Sequence, residues 1–214
     1  MPELYLNALL QTVTMVSVAA LVSAVFGLLL ALVLVTTGPG DLYASPLVNR
    51  VVGNVVNVFR SVPFIILLVV LLPFTRLVVG TTIGVWAAVV PLSIAGTPFF
   101  ARIAEVSLRE VDRGLIEAAQ AMGALRWHVV CHVLLPEALP GIISGLTITL
   151  VAMIGSSAMA GAVGAGGLGD LAIRYGYQRF NTELMLAVLV GLVVMVTLVQ
   201  FAGDRLARHF DHRN

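Results

Sequence analysis

Long apolar stretches separated by short polar segments dominate the pattern of this chain. Residues 4–40, for example, contain no charged side chain. A bilayer core about 30 Å thick is crossed by about 20 apolar residues in a helix. The pattern therefore predicts an all-α membrane protein with five spans, at about 12–36, 51–74, 81–101, 138–160 and 184–204. The most polar interval, 102–137, separates the third span from the fourth.

Composition supports a lipid environment. The chain has 214 residues, of which 59% are hydrophobic and 11% are charged, whereas soluble domains carry about 25% charged residues. The net charge of +1 indicates no attraction to nucleic acid. A single cysteine, Cys131, excludes an intramolecular disulfide. The N-terminus lacks the basic start of a secretory signal, so the first apolar stretch is predicted to be a retained span.

The distribution of arginine predicts the orientation. All 12 basic residues are arginine, and positive residues concentrate on the cytoplasmic side of membrane proteins. An outside N-terminus and an inside C-terminus put nine arginines at the inner side and three at the outer side. The outer three are Arg76, Arg174 and Arg179. The inner nine are Arg50, Arg60, Arg102, Arg109, Arg113, Arg126, Arg205, Arg208 and Arg213. The segment 102–137 is then cytoplasmic.

This segment contains a pattern of small and apolar residues that favours contact with a partner. Good helix formers follow Gly114, and Gly123 stands where a helix usually ends. Glu117 is expected in the first turn, where the helix dipole favours an anion. Small side chains would let the helix enter a groove of the partner, and apolar ones would anchor it. The expected contact residues are Leu115, Ile116, Glu117, Ala118, Ala119, Met122, Gly123, Val133, Leu135 and Pro136. Of these, Pro136 is expected to begin the fourth span, and Val133 and Leu135 to pack the returning arm onto the loop.

The spacing in this segment also resembles a known loop. Glu-Ala-Ala at 117–119, Gly123 and Val-x-Leu-Pro at 133–136 are similar to the coupling loop of permease subunits of bacterial ABC importers. Three further stretches resemble the methionine-uptake branch of these permeases. They are FRSVPFIILL at 59–68, PFTRLVVGT at 73–81 and SAMAGAVGAGGLG at 157–169.

The resemblance implies a specific assembly. It implies a type I ABC importer permease of five helices in a single domain, 1–214, in the bacterial inner membrane. Two copies would form a homodimer, joined by two cytoplasmic ATPase subunits and served by a lipid-anchored periplasmic methionine-binding protein. ATP and magnesium would be held by the ATPase, and this chain would have no cofactor, metal or catalytic residue of its own.

Some residues within the spans are candidates for the translocation path. They are Arg60, Ser156 and Met159, and a charged residue such as Arg60 within a span favours a role in a solute pathway. Arg60 would lie near an inner helix end, and Met159, ringed by small residues, could close a passage between two copies. Small residues four apart at Ser23–Ala31, Gly80–Ala88 and Gly141–Thr149 predict close helix contacts, within the chain or between copies.

Other functions remain open as alternatives. An ABC permease for another amino acid fits the same loop, and a stand-alone carrier would work without an ATPase. The glycine pattern at 164–169 matches a dinucleotide fingerprint but lacks a βαβ context. Gly167–Asp170 matches an intramembrane aspartyl protease motif without a second aspartate in a span. His128, Cys131 and His132 share a helix face but lack a fourth metal ligand.

Overall fold

The computed structural model describes residues 2–211, so Arg213 of the orientation argument lies outside the described residues. No strand occurs within this range. The helices are α1 Pro2–Thr36, α2 Pro46–Ser61, α3 Phe64–Val70, α4 Leu72–Val79, α5 Val85–Arg109, α6 Arg113–Ala121, α7 Arg126–Val129, α8 Leu135–Gly161, α9 Gly167–Leu171 and α10 Thr182–His209. π-helical turns at Val130–Leu134 and Ala172–Tyr177 follow α7 and α9.

Four of the described helices are long and apolar enough to cross a membrane. They are α1, α5, the helix running from Arg126 to Gly161, and α10. The bent pair α2 and α3 raises the number to five if it counts as one span. The all-helical membrane fold predicted from the sequence is therefore confirmed.

The second predicted span, 51–74, is wrong as a continuous helix. The chain bends by 102° between α2 and α3. Pro63 has no N–H for a helical hydrogen bond, and a proline pushes the residue before it out of the helical region. Val62 accordingly adopts φ −84° and ψ 124°. Several boundaries also differ from the prediction. Helix α1 begins at Pro2 rather than 12, and α5 extends past 101 to Arg109.

The core lies where α1, α5 and α8 pack together. One buried cluster includes Met15, Leu92 and Met153, and a second is centred on Phe100 and Leu134. Burial of these side chains fixes the three long helices against one another. We call the two ends of this bundle the α6 end and the α9 end, after the short helix found at each.

Close backbone approach explains two of the small-residue stripes. A Cβ added at Gly27 would lie 2.8 Å from both Phe100 Cδ1 and the Thr97 carbonyl oxygen, so α1 meets α5 through this glycine. At Gly145 an added Cβ would lie 2.7 Å from Ile103 Cγ2, where α8 meets α5. The stripe predicted at Gly80–Ala88 does not form one helix face. Gly80 ends α4 and Gly84 precedes α5, and both glycines have positive φ.

Candidate docking surface and internal cavity

Helix α6 begins earlier than its sequence suggested. Asp112 is the N-cap, and its Oδ1 accepts a hydrogen bond of 2.8 Å from the Gly114 amide. The helix then runs from Arg113 to Ala121. Glu117 is consequently in the second turn, so the prediction that it lies in the first turn is wrong. Gly123 has φ 84°, which confirms the left-handed stop expected at this position.

One face of α6 is turned inward and holds the helix in place. Ala119 is buried, and Ile116 is half-buried. Ile116 packs against the same cluster as Leu134 and Leu135, which belong to the returning arm. These contacts tie α6 to the bundle, so α6 has a defined position relative to α5 and α8.

The opposite face of α6 is exposed and partly apolar. Met122 is 84% exposed and Leu115 is 46% exposed. Glu117 and Ala118 are exposed between them. We call these four residues the α6 surface. Exposed apolar side chains at the tip of a polar segment are typical of a contact surface for another protein.

Two more apolar residues beside this surface were missed by sequence reasoning. Leu125 is 67% exposed and Trp127 is 65% exposed. The sequence did indicate these two residues, because both are large apolar side chains within the polar interval 102–137. They stand two and four residues after Gly123 and extend the apolar area from α6 to the start of the returning arm.

The returning arm is a continuous helix rather than a loop. Helix α7, the π-turn Val130–Leu134 and α8 follow one another without a break. The prediction that Pro136 begins the fourth span is therefore wrong, because the helix already starts at Arg126. A proline inside a helix leaves one carbonyl without its usual partner and crowds the preceding turn, and local π-helical turns are one way in which membrane helices satisfy the freed backbone groups. Leu134 is buried, whereas Val133 and Leu135 are only half-buried.

Three charged side chains at the α6 end join α5 to α1. The Glu105 carboxylate accepts hydrogen bonds from Arg102 Nη1 at 2.7 Å and from Arg109 Nε at 3.0 Å. Arg109 Nη2 also donates to the Leu34 carbonyl oxygen at 3.1 Å. Only 8% of the Glu105 side chain is exposed. This triad fixes the last turn of α5, from which the chain leads into α6.

A cavity of about 190 Å³ brings together two of the three predicted path residues. Arg60 and Ser156 both line it, with Met153, Gly96 and Thr149 on the surrounding helices. Arg60 stands in the last turn of α2 and meets Gly96 of α5 and Ser156 of α8 at this cavity. It is ten residues, or about 15 Å, beyond Arg50 along α2. Its place near an inner helix end stays a prediction.

Met159 lies apart from this cavity. It does not line the cavity and is 52% exposed, and Met153 is the methionine that faces it. The gating role of Met159 between two copies stays a prediction.

The glycine-rich segment at the α9 end packs directly on α1. The Gly167 amide donates to Gln11 Oε1 and the Leu168 amide to Thr12 Oγ1, each at 2.8 Å. Asp170 pairs with Arg174 at 2.6 Å. The glycines therefore serve close helix packing at this end of the bundle. Within residues 2–211, no group of three or more His, Cys, Asp or Glu side chains could hold a metal.

Comparison with known families identifies the chain. The profile of the family described as the binding-protein-dependent transport system inner membrane component matches residues 23–214. The chain belongs to this family. As an inner membrane component of this family, it is a transport permease.

Curated relatives are similar over nearly their whole length. The probable D-methionine transport system permease protein MetI of Vibrio cholerae is 49% identical over 211 residues, covering 99% of this chain and 94% of the relative. The D-methionine transport system permease protein MetI of Escherichia coli is 50% identical over 198 residues, covering 92% and 91%.

Solved structures of permeases have the same fold. An inward-facing MetNI methionine ABC transporter chain matches with a TM-score of 0.97 and 48% identity, covering 99% of this chain and 98% of that chain. A chain of an amino acid ABC transporter solved with histidines matches with a TM-score of 0.74 at 20% identity. At that identity only the shared fold is informative.

Proposed function

We propose that this family member is the permease subunit of an ATP-driven importer of methionine. The observation that carries the proposal is the 48–50% identity, over more than nine-tenths of the chain, to permeases of methionine transporters. The solute would be D-methionine, L-methionine or both. In this proposal two copies of the chain form the translocation path across the inner membrane.

The energy would come from a separate ATPase that binds the α6 surface. Leu115 and Met122 provide apolar contact, and Ala118 leaves room for close approach. The inward contacts of Ile116 and Ala119 support α6 from behind, so force applied at the surface reaches α5 and α8. Each copy would bind one ATPase subunit, and ATP and magnesium would be held by that subunit.

This role requires the α6 end to face the cytoplasm. The arginine distribution supports that orientation, because the α6 end carries Arg102, Arg109, Arg113 and Arg126. The α9 end would then face the periplasm, where a methionine-binding protein delivers the solute. Lipid would cover the exposed apolar faces of α1 and α10.

Charge reversal at Glu117 tests the docking role. In Glu117→Arg, the ATPase should no longer co-purify with the permease, and uptake should fall at least tenfold. Glu183→Arg makes the same charge change at the exposed first turn of α10, at the opposite end, and should retain both the ATPase and uptake. An intact complex with full uptake in Glu117→Arg would contradict the docking role.

Uptake in proteoliposomes tests the substrate. Vesicles containing the permease and its ATPase, supplied with the binding protein and ATP, should accumulate radiolabelled methionine. Unlabelled D- and L-methionine should compete, and histidine or leucine should compete poorly. Accumulation of another amino acid in preference to methionine would refute the substrate assignment and leave the permease role intact.

A further inference from the structure

Arg60 is a charged residue in the bent helix pair α2 and α3 that has no ion-pair partner in the described part of the chain. In residues 2–211 no hydrogen bond or ion pair is made by its guanidinium. By contrast, Arg102, Arg109 and Arg174 are all paired with carboxylates. Charged side chains within membrane spans are costly and usually face an aqueous cavity or an opposite charge. Arg60 is exposed and lines the 190 Å³ cavity, so an anionic group that enters the cavity can reach its guanidinium.

Hydrogen-bond acceptors lie on another wall of the same cavity. Ser156 Oγ donates to the Ala152 carbonyl oxygen at 3.1 Å, and Thr149 Oγ1 donates to the Gly145 carbonyl oxygen at 2.8 Å. Each hydroxyl uses its only proton within α8, so its oxygen lone pairs remain as acceptors. Thr149 is fully buried, so the half-buried Ser156 oxygen is the acceptor that a solute can reach. This wall is therefore suited to a donor such as an ammonium group.

The remaining lining is apolar and aromatic. It comprises Phe59, Val62, Phe64, Leu92, Phe99 and Met153. Such side chains suit an unbranched apolar group, including a thioether, which makes favourable contacts with aromatic rings. At about 30 Å³ per water molecule, 190 Å³ corresponds to about six waters, so the cavity suits a single amino acid and not a peptide.

We propose that this cavity is a transient binding site for the transported amino acid within the membrane. The Arg60 guanidinium would bind the α-carboxylate in a bidentate manner, the Ser156 hydroxyl would accept from the α-ammonium group, and the aromatic wall would hold the side chain. The inference rests on the proposed function and extends it from a delivered solute to a solute recognised inside the permease.

Direct binding to the purified permease–ATPase complex in nanodiscs, without the binding protein, tests the site. Radiolabelled L-methionine should bind in a scintillation proximity assay, and Arg60→Gln should weaken binding on the order of 10- to 100-fold, as expected for loss of a charged hydrogen-bonded pair. Arg60→Lys should bind with intermediate affinity. Arg50→Gln, on the same helix but outside the cavity, should bind as the unmodified protein does.

A second ligand separates recognition of the carboxylate from a general loss of structure. Methioninamide lacks the carboxylate, so the unmodified complex should bind it more weakly than methionine. The Arg60→Gln complex should bind methioninamide and methionine with about equal affinity. Unchanged methionine binding in Arg60→Gln would overturn the site, as would a complex that takes up methionine but binds none without its binding protein. In both cases methionine uptake by the unmodified importer would still support the proposed function.

Discussion

Neutralising Glu105 should loosen the α6 end of the bundle. In the unmodified protein, this carboxylate is almost fully buried and accepts hydrogen bonds from Arg102 and Arg109. In Glu105→Gln, the amide oxygen can still accept one bond, but the amide nitrogen opposes the other guanidinium. Arg109, which also donates to the Leu34 carbonyl oxygen, would then hold the end of α1 less firmly.

The size of the effect follows from the exposure of the three side chains. Hydrogen bonds to charged groups contribute about 1.5–3 kcal/mol, whereas exposed ion pairs contribute about 0–1 kcal/mol. Arg102 and Arg109 are 41% and 44% exposed and Glu105 is 8% exposed, so each pair lies between these limits. Glu105→Gln removes the charge attraction to both arginines and about half of the hydrogen bonding. This loss should lower the free energy of unfolding by about 2 kcal/mol. At about 2–4 °C per kcal/mol for a chain of this size, the Tm should fall by about 4–8 °C.

Thermal stability of the detergent-solubilised permease measures this change. Aliquots are heated and the fraction that stays monodisperse is followed by size-exclusion chromatography. Glu110→Gln is the matched control, because Glu110 is exposed at the end of the same helix and has no ion-pair partner in the described chain. The difference in Tm between the two variants should become smaller at 1 M salt, because the Debye length there is about 3 Å and the charges are screened. Equal Tm values for both variants at low salt would refute the energetic role of the triad.

Two further substitutions test close packing and capping. Gly27→Val should destabilise the protein by about 1–3 kcal/mol, since its added carbon atoms meet Phe100; Gly155→Ala, with open space at its Cβ, should have little effect on the same melting curve. Asp112→Ala removes the cap of α6 and should cost the helix about 1 kcal/mol, seen as several-fold faster hydrogen exchange of the α6 amides. Unchanged exchange would contradict the capping role.

The long helices were predictable because lipid leaves a chain few choices. Every backbone polar group in the hydrocarbon must be satisfied within the protein, so charge-free stretches become helices. The end of α1 at Thr36 follows from Gly38 and Pro39, which are local signals. The start of α1 at Pro2 could not be predicted from the membrane span alone. A helix continues beyond the hydrocarbon core wherever the flanking residues still favour helix.

The bend after α2 and the cavity were harder to predict. Pro63 was visible in the sequence, but proline occurs within α5 and α8 too, and only tertiary packing decides which one redirects the chain. Arg60 and Ser156 are 96 positions apart, so their meeting depends on how α2 and α8 pack. The glycine stop at Gly123 was predictable because it needs only the local backbone, whereas the identity of the cap, Asp112, depended on where the helix began.

The helix from Arg126 to Gly161 connects the α6 end to the cavity in one continuous element. Its 36 residues span about 54 Å at 1.5 Å per residue. Ser156 lies 30 residues, or about 45 Å, from the end beside α6, so a tilt of about 5° about that end would move it by about 4 Å. A displacement of that size exceeds the length of a hydrogen bond. In the proposed importer, a small push at the α6 surface would thus carry the Ser156 hydroxyl out of hydrogen-bonding reach of a solute in the cavity.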